Sequence, residues 1–183
     1  MIILASNSPR RKKLLEDAGV EFKVVALNVD ETTEEKMRPD KLVTFLARKK
    51  AKAVFDLHNE DIIIAADTVV VYEGDVLGKP VDEDDAYRML KMLSGNHHEV
   101  YTGVCIMSKD KEVCFNTMAE VWMNHYNDLQ IYEYIKTREP MDKAGAYAIQ
   151  GLGKELVLQY NGDFFTIVGL PLKQLLTELK AFK

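Results

Sequence analysis

Ile62-Ile63-Ile64-Ala65-Ala66-Asp67-Thr68-Val69-Val70-Val71-Tyr72 is the stretch on which the fold turns. It is apolar nearly throughout and rich in β-branched residues, which predicts a strand buried on both faces; a half-exposed strand would alternate. One carboxylate, Asp67, interrupts it. A charge in such a run needs a partner, a metal or a raised pKa, unless it marks a strand bend held by backbone N–H groups.

Working outward, Glu73-Gly74-Asp75 turns the chain towards Val76-Leu77 and the segment Gly78-Lys79-Pro80. Ile2 to Ala5 is a short strand, and Ser8-Pro9 opens a helix that Gly19 closes: Ser caps, and Pro at the first helical position has no N–H to satisfy. A strand is expected over Phe22 to Leu27, then an acidic loop, Asp30 to Glu35, and a long helix from Pro39 to about Leu57. Further on come a helix over Asp82 to Leu93, a hairpin of Val100 to Met107 with Val113 to Met123, and a helix capped by Asn127. Glu155 to Tyr160 and Phe164 to Val168 read as strands joined at Asn161-Gly162-Asp163, before a closing helix from Pro171 to Phe182. Strands and helices mix without strict alternation, so the expected class is α/β: a mixed twisted sheet with flanking helices, taken as one domain over residues 1–183.

The chain has 24 Lys and Arg against 29 Asp and Glu, a net charge of −5. A dedicated nucleic-acid binder is normally basic, so that class is disfavoured. No apolar run approaches the roughly 20 residues of a membrane span. The N-terminus turns basic after its apolar residues, the reverse of a signal peptide. Two cysteines, Cys105 and Cys114, cannot form a disulfide framework and belong to no C-x-x-C motif. A tight turn centred on Lys109-Asp110 would set them opposite each other, as reduced thiols. A cytoplasmic protein is expected, with assembly open between a monomer and a homodimer.

Four places could carry chemistry. Ser6-Asn7-Ser8-Pro9-Arg10-Arg11 aims free N–H groups and two guanidinium groups at one spot, which suits a phosphate, although taken alone the segment reads first as a capped helix followed by solvated bases. On the long helix Val43, Ala47, Lys50, Val54 and Leu57 share one stripe, so Lys50 either snorkels to the edge or meets a partner. Asp67 is the third, with Asp30 and Glu31 as a second source of carboxylates. The fourth is Asp142-Lys143-Ala144-Gly145-Ala146-Tyr147-Ala148-Ile149-Gln150-Gly151, whose small residues permit close backbone approach. The histidines at 58, 97, 98 and 125 have no metal-ligand spacing.

These residues resemble the Maf family of nucleotide pyrophosphatases. The pieces are Leu-Ala-Ser-x-Ser-Pro-Arg-Arg at 4–11, Asp-Glu at 30–31, Ala-Arg-x-Lys-Ala at 47–51, Ala-Asp-Thr at 66–68, Leu-Gly-Lys-Pro at 77–80, Leu-Ser-Gly at 93–95 and the 142–151 segment. Gly-Asp-Phe-Phe and Gly-Leu-Pro follow near the end. Ala148, where relatives commonly show Gly, is a mild departure.

The resemblance implies two lobes around a central cleft, similar to inosine-triphosphate pyrophosphatases. It implies hydrolysis of nucleoside triphosphates between the α and β phosphates with a divalent metal, Mg²⁺ or Mn²⁺. Asp67 would be the proton acceptor, and Glu31 would hold the metal, with Asp67 available beside it. Ser6, Ser8, Arg10, Arg11, Lys50 and Lys79 would position phosphates, with Lys79 counted among the catalytic groups. Thr68 and Gln150 would bear on substrate choice. Members with Gln at the position of Gln150 are similar to dTTP and UTP hydrolases. The rival reading is a non-catalytic regulator of cell division and septum formation that senses a nucleotide.

Overall fold

The computed structural model describes residues 1–182. The apolar run forms a single strand, Ile62–Tyr72, over its whole predicted length. In chain order the strands are β1 (Ile2–Leu4), β2 (Lys23–Val24), β3 (Ile62–Tyr72), β4 (Asp75–Leu77), β5 (His97–Met107), β6 (Glu112–Met123) and β7 (Val157–Asn161). The α-helices are α1 (Pro9–Asp17), α2 (Pro39–Phe55), α3 (Glu83–Leu93), α4 (Asp128–Lys136), α5 (Phe164–Val168) and α6 (Leu172–Leu179). The sheet runs in the order β2-β1-β3-β5-β6-β7, with β4 also paired to β3. β1 lies parallel to β2 and β3, whereas β4 on β3 and β7 on β6 are antiparallel. The chain is therefore α/β with a seven-stranded mixed sheet and flanking helices, the class its sequence predicts.

Local chemistry sets the helix ends. Ser8 Oγ accepts from Arg11 N at 3.4 Å, Pro9 opens α1, and Gly19 follows its end with φ +69°. Asp82 accepts from Asp85 N at 2.7 Å to start α3, whose first turn holds Glu83, Asp84 and Asp85 and whose last holds Lys91, complementing the helix dipole. Asn127 and Gln130 bond reciprocally at the start of α4, a capping box.

Three expectations fail. Phe164–Val168 is a helix, not a strand. Its aromatic and β-branched residues favour a strand locally, but Asp163 accepts from Phe165 N at 3.1 Å and turns the chain, while Thr166 and Val168 are buried. Phe22 to Leu27 pairs only at Lys23–Val24, because β1, its sole neighbour, is three residues long. Leu57 lies beyond the end of α2 and is exposed, so the apolar stripe stops at Val54.

By contacts, the chain divides into two compact units. The first comprises Met1–Thr68, Thr102–Thr117 and the segment from Gly169 onward; the second comprises Val69–Tyr101 and Met118–Val168. In the first, Ala47, Ala51 and Val54 of α2 pack with Ile63, Ala65 and Cys105. The helix comes so close to β5 that a Cβ on Gly103 would lie 2.3 Å from the Val43 carbonyl group. In the second, Leu90, Leu93, Val121 and Ile131 are fully buried in one cluster, each contributing about 1.5–3 kcal/mol by burial. Tyr87 of α3 stacks on Tyr132 of α4 with centroids 5.1 Å apart. Among the described residues no helix is long and apolar enough to cross a membrane.

Candidate active site

The turn after β1 is knitted together by Arg11. Ser8 N donates to Ser6 Oγ at 3.2 Å, and Arg11 Nη1 donates to the same hydroxyl at 3.3 Å. Arg11 Nη2 reaches Thr68 Oγ1 at 3.0 Å and its Nε reaches Gly169 O at 2.8 Å. Thr68 Oγ1 is in turn 2.8 Å from Thr102 Oγ1. One planar cation thus ties α1, the turn at Ser6, β3 and the start of the C-terminal segment, and reaches β5 through Thr68, using the fork geometry that a lysine lacks. Burial lowers its pKa to about 10, against the opposing pull of Asp67, so it stays charged at neutral pH. Arg10, half-buried beside it, adds a second positive charge to the same turn.

Asp67, 7% exposed, has found its partner in Lys50. Lys50 Nζ lies 2.5 Å from Asp67 Oδ1 and 2.8 Å from Glu31 Oε1. The helix stripe explains the placement: Val43, Ala47 and Val54 are buried and carry Lys50 inward with them. Its neighbours point elsewhere. Arg48 pairs with Glu112, Lys52 with Asp56, and Lys49 sits over the Phe45 ring. Of the two acidic-loop candidates only Glu31 reaches this group. Asp30 is exposed and bonds its own loop through Thr32 N at 2.9 Å and Thr32 Oγ1 at 2.7 Å, which hold its carboxyl below the usual range.

Ser6, Ser8, Arg11 and Thr68 form one hydrogen-bonded cluster and Glu31, Lys50 and Asp67 another, both within the first unit; Asp67 and Thr68 adjoin in sequence, and Arg11 feels the charge of Asp67 and Glu31. Glu31 and Asp67 converge on a single positive charge, that of Lys50. Hard oxygen donors so directed suit Mg²⁺ or Mn²⁺, which are commonly held by one or two carboxylates with substrate phosphates and water completing the shell. These two residues could hold such an ion.

Lys79 and Gln150 belong to the second unit, and both are exposed. Gly145 N donates to Gly78 O at 3.1 Å, tying the segment around Lys79 to the glycine-rich loop. Glu139 braces the other end of that loop: its two carboxylate oxygens accept from Leu152 N at 3.1 Å and Gly153 N at 2.8 Å. Gly151, at φ +68°, takes the left-handed backbone that favours glycine, and a Cβ there would displace the Glu139 carboxylate. Tyr134 Oη accepts from Ala148 N at 3.2 Å, and Tyr147 Oη is 2.6 Å from His98 Nε2 in the interior. The loop is thus held from behind, with Gln150 on its exposed side.

Thr102, Gly169 and Glu139 escape the sequence reading. Thr102 is an ordinary strand residue by pattern and Glu139 looks like any charge before a proline, so nothing in their spacing marks them; Gly169 opens the Gly-Leu-Pro piece, but its role runs through its carbonyl, which no side-chain pattern shows.

A family model described as Maf-like protein matches residues 1–182. The chain is 50% identical to the dTTP/UTP pyrophosphatase of Acholeplasma laidlawii, covering 100% of this chain and 96% of that protein. It is 49% identical to the dTTP/UTP pyrophosphatase of Bacillus cytotoxicus, covering 98% and 94% respectively. Among solved structures the Staphylococcus aureus Ham1 protein matches with a TM-score of 0.54 over 100% of this chain and 99% of that one, at 14% identity. That last likeness is one of fold alone. Matched along its whole described length by the family model and at about half identity by such relatives, the chain belongs to the Maf family.

Proposed function

We propose that this chain is a nucleotide pyrophosphatase that hydrolyses dTTP and UTP between the α and β phosphates, releasing the monophosphate and pyrophosphate with the help of Mg²⁺ or Mn²⁺. The observation that carries the reading is the convergence of Asp67 and Glu31 on Lys50 beside the Arg11-braced turn. The names of the relatives support it. A bound divalent ion would neutralise phosphate charge and acidify a water, with Glu31 and Asp67 as its protein ligands. Asp67 takes the proton from the attacking water, as general-base carboxylates do. Lys50 and Arg10 offer positive charge to the phosphates, and Ser6 and Ser8 offer hydroxyls at the N-terminus of α1, where anions are favoured. Arg11 holds Ser6 and Thr68 in place and adds its own charge. In the second unit, exposed Lys79 offers a further phosphate contact. Gln150 carries one acceptor and an NH₂ donor, matching the N3–H and carbonyl edge of thymine or uracil.

Turnover of purified protein with a panel of nucleotides tests this, in Mg²⁺, in Mn²⁺ and in chelator. dTTP and UTP should exceed CTP, ATP and GTP, the products should be dTMP or UMP with pyrophosphate, and chelator should abolish the reaction. Inorganic phosphate with a diphosphate product would refute the bond assignment, and GTP or ATP outrunning UTP would refute the base assignment.

A further inference from the structure

The hairpin of β5 and β6 carries both cysteines, and the reaction proposed above uses neither. Ser108 N donates to Lys111 O at 2.8 Å, closing a two-residue turn at Lys109-Asp110. Antiparallel pairs alternate between hydrogen-bonded and non-hydrogen-bonded, so Cys105 and Cys114, three steps from that bond, form a non-hydrogen-bonded pair, the kind whose side chains lie closer. Their sulfurs are 2.7 Å apart, and both are free thiols. Cys105 is fully buried against Ala47 and Ala51, whereas Cys114 is half-buried. On the same face of β6, Glu112 Oε1 is 3.7 Å from Cys114 Sγ and is itself bound by Arg48 Nε at 2.5 Å.

We propose that Cys105 and Cys114 are a modification site, a cross-strand dithiol that a hydroperoxide such as hydrogen peroxide converts into an intramolecular disulfide. The two sulfurs have different parts. Cys114 is the accessible one, and the hydrogen bond it shares with Cys105 holds its thiol below the ordinary range, against burial and the nearby Glu112 carboxylate. The same contact, together with burial, pushes the Cys105 thiol up. Thiolate character and exposure together decide which cysteine an oxidant attacks, so Cys114 reacts first. Its thiolate attacks one peroxide oxygen: an S–O bond forms, the O–O bond breaks, and the departing hydroxide takes up the proton Cys114 had released, leaving as water. Cys105 Sγ then attacks Cys114 Sγ. The S–S bond forms, the S–O bond breaks, and the hydroxide leaves with the Cys105 proton as a second water. Two thiols have lost two electrons and the peroxide has gained them. Because the sulfurs already touch, the second step requires no rearrangement of the chain.

The test uses the full chain, reduced and desalted, exposed to a small excess of hydrogen peroxide, quenched with iodoacetamide and weighed without reductant. The expected product is two hydrogens lighter, takes up no alkylating agent at either cysteine, and recovers both alkylatable thiols after dithiothreitol. Trypsin can cut at Lys109 and Lys111, so the bridge should appear as two linked peptides. Cys105→Ser should arrest at a Cys114 sulfenic acid that dimedone captures, and the wild-type measurement stands if that variant folds poorly. Oxidation of Cys114 to sulfinic acid with Cys105 still alkylatable, a bridge between two chains, or two thiols left intact would overturn the proposal.

Discussion

The two polar regions of this molecule are built on opposite plans. In the first unit the polar side chains bind one another: Arg11 to Ser6 and Thr68, Lys50 to Asp67 and Glu31. In the second, buried or rearward groups bind the backbone of the glycine-rich loop at Ala148 and just beyond it at Leu152 and Gly153, and Gln150 and Lys79 are left exposed. The first plan couples chemistry to folding, so that truncating a member damages both, and only a replacement of the same shape can separate them. The second separates the scaffold from the side chain that reads a ligand, and so allows that side chain to change at little structural cost.

Substitutions can break or sharpen this contrast. The largest effect should come from Asp67→Asn, which keeps the shape of the group and should lose about 10²–10⁴ in turnover if Asp67 is the general base. Near-normal turnover in the folded variant would remove it from that role. Lys50→Ala should also be damaging while Lys49→Ala, on the Phe45 side of the helix, should change almost nothing; equal effects would contradict the placement of the stripe. Gln150→Glu should erode the pyrimidine preference by roughly 5- to 150-fold in kcat/KM, the worth of one matched hydrogen bond, while leaving Tm where it was. A shifted Tm with unchanged selectivity would mean that Gln150 is part of the scaffold after all.

Arg11→Lys is the converse experiment. It keeps the charge but cannot serve Ser6, Thr68 and Gly169 together, so about 1–3 kcal/mol of stability should go, a fall of roughly 2–10 °C in Tm alongside reduced turnover. An unaltered melting curve would show that the network is not structural. The smallest effect is on the pH axis. His98 is 1% exposed, and burial, with a lesser push from His97, lowers its pKa from 6.5 to about 3. The unfolded chain then binds a proton that the folded chain does not. The stability His98 preserves is complete above pH 6.5 and is lost as pH falls towards 3, by up to about 1.4 kcal/mol per pH unit. Urea midpoints of wild type and His98→Gln, compared between pH 7 and pH 5, should diverge in slope; parallel lines would refute the assignment.

What was legible in the sequence was whatever local chemistry decides alone. The eleven residues of β3, the Ser8 and Asn127 caps and the turn that aligns Cys105 with Cys114 needed no distant information. Lys50 was visible as an anomaly on an apolar stripe, and Asp67 as an anomaly in an apolar strand, but that each is the answer to the other depends on how α2 meets β3. Phe164–Val168 was misread because β propensity there loses to a capping aspartate and to burial. Thr102 and Glu139 were invisible for a plainer reason: a threonine in a strand and a glutamate in a connection carry no pattern, and their partners lie 34 and 13–14 residues away.

Gly103, pressed against the Val43 carbonyl, has a bearing on how the protein tolerates variation. In a saturation library scored for both abundance and activity, positions 67 and 103 should look equally intolerant by activity alone. Abundance should tell them apart. Asp67→Asn, which keeps the shape of the group, would accumulate as inert protein, whereas any side chain at 103 would push α2 off β5, and its variants would be cleared before they could be assayed. A residue with no functional group would then rank with the proposed catalytic base among the least replaceable positions of the chain, as the spacer that lets the helix bearing Lys50 come close enough to meet it.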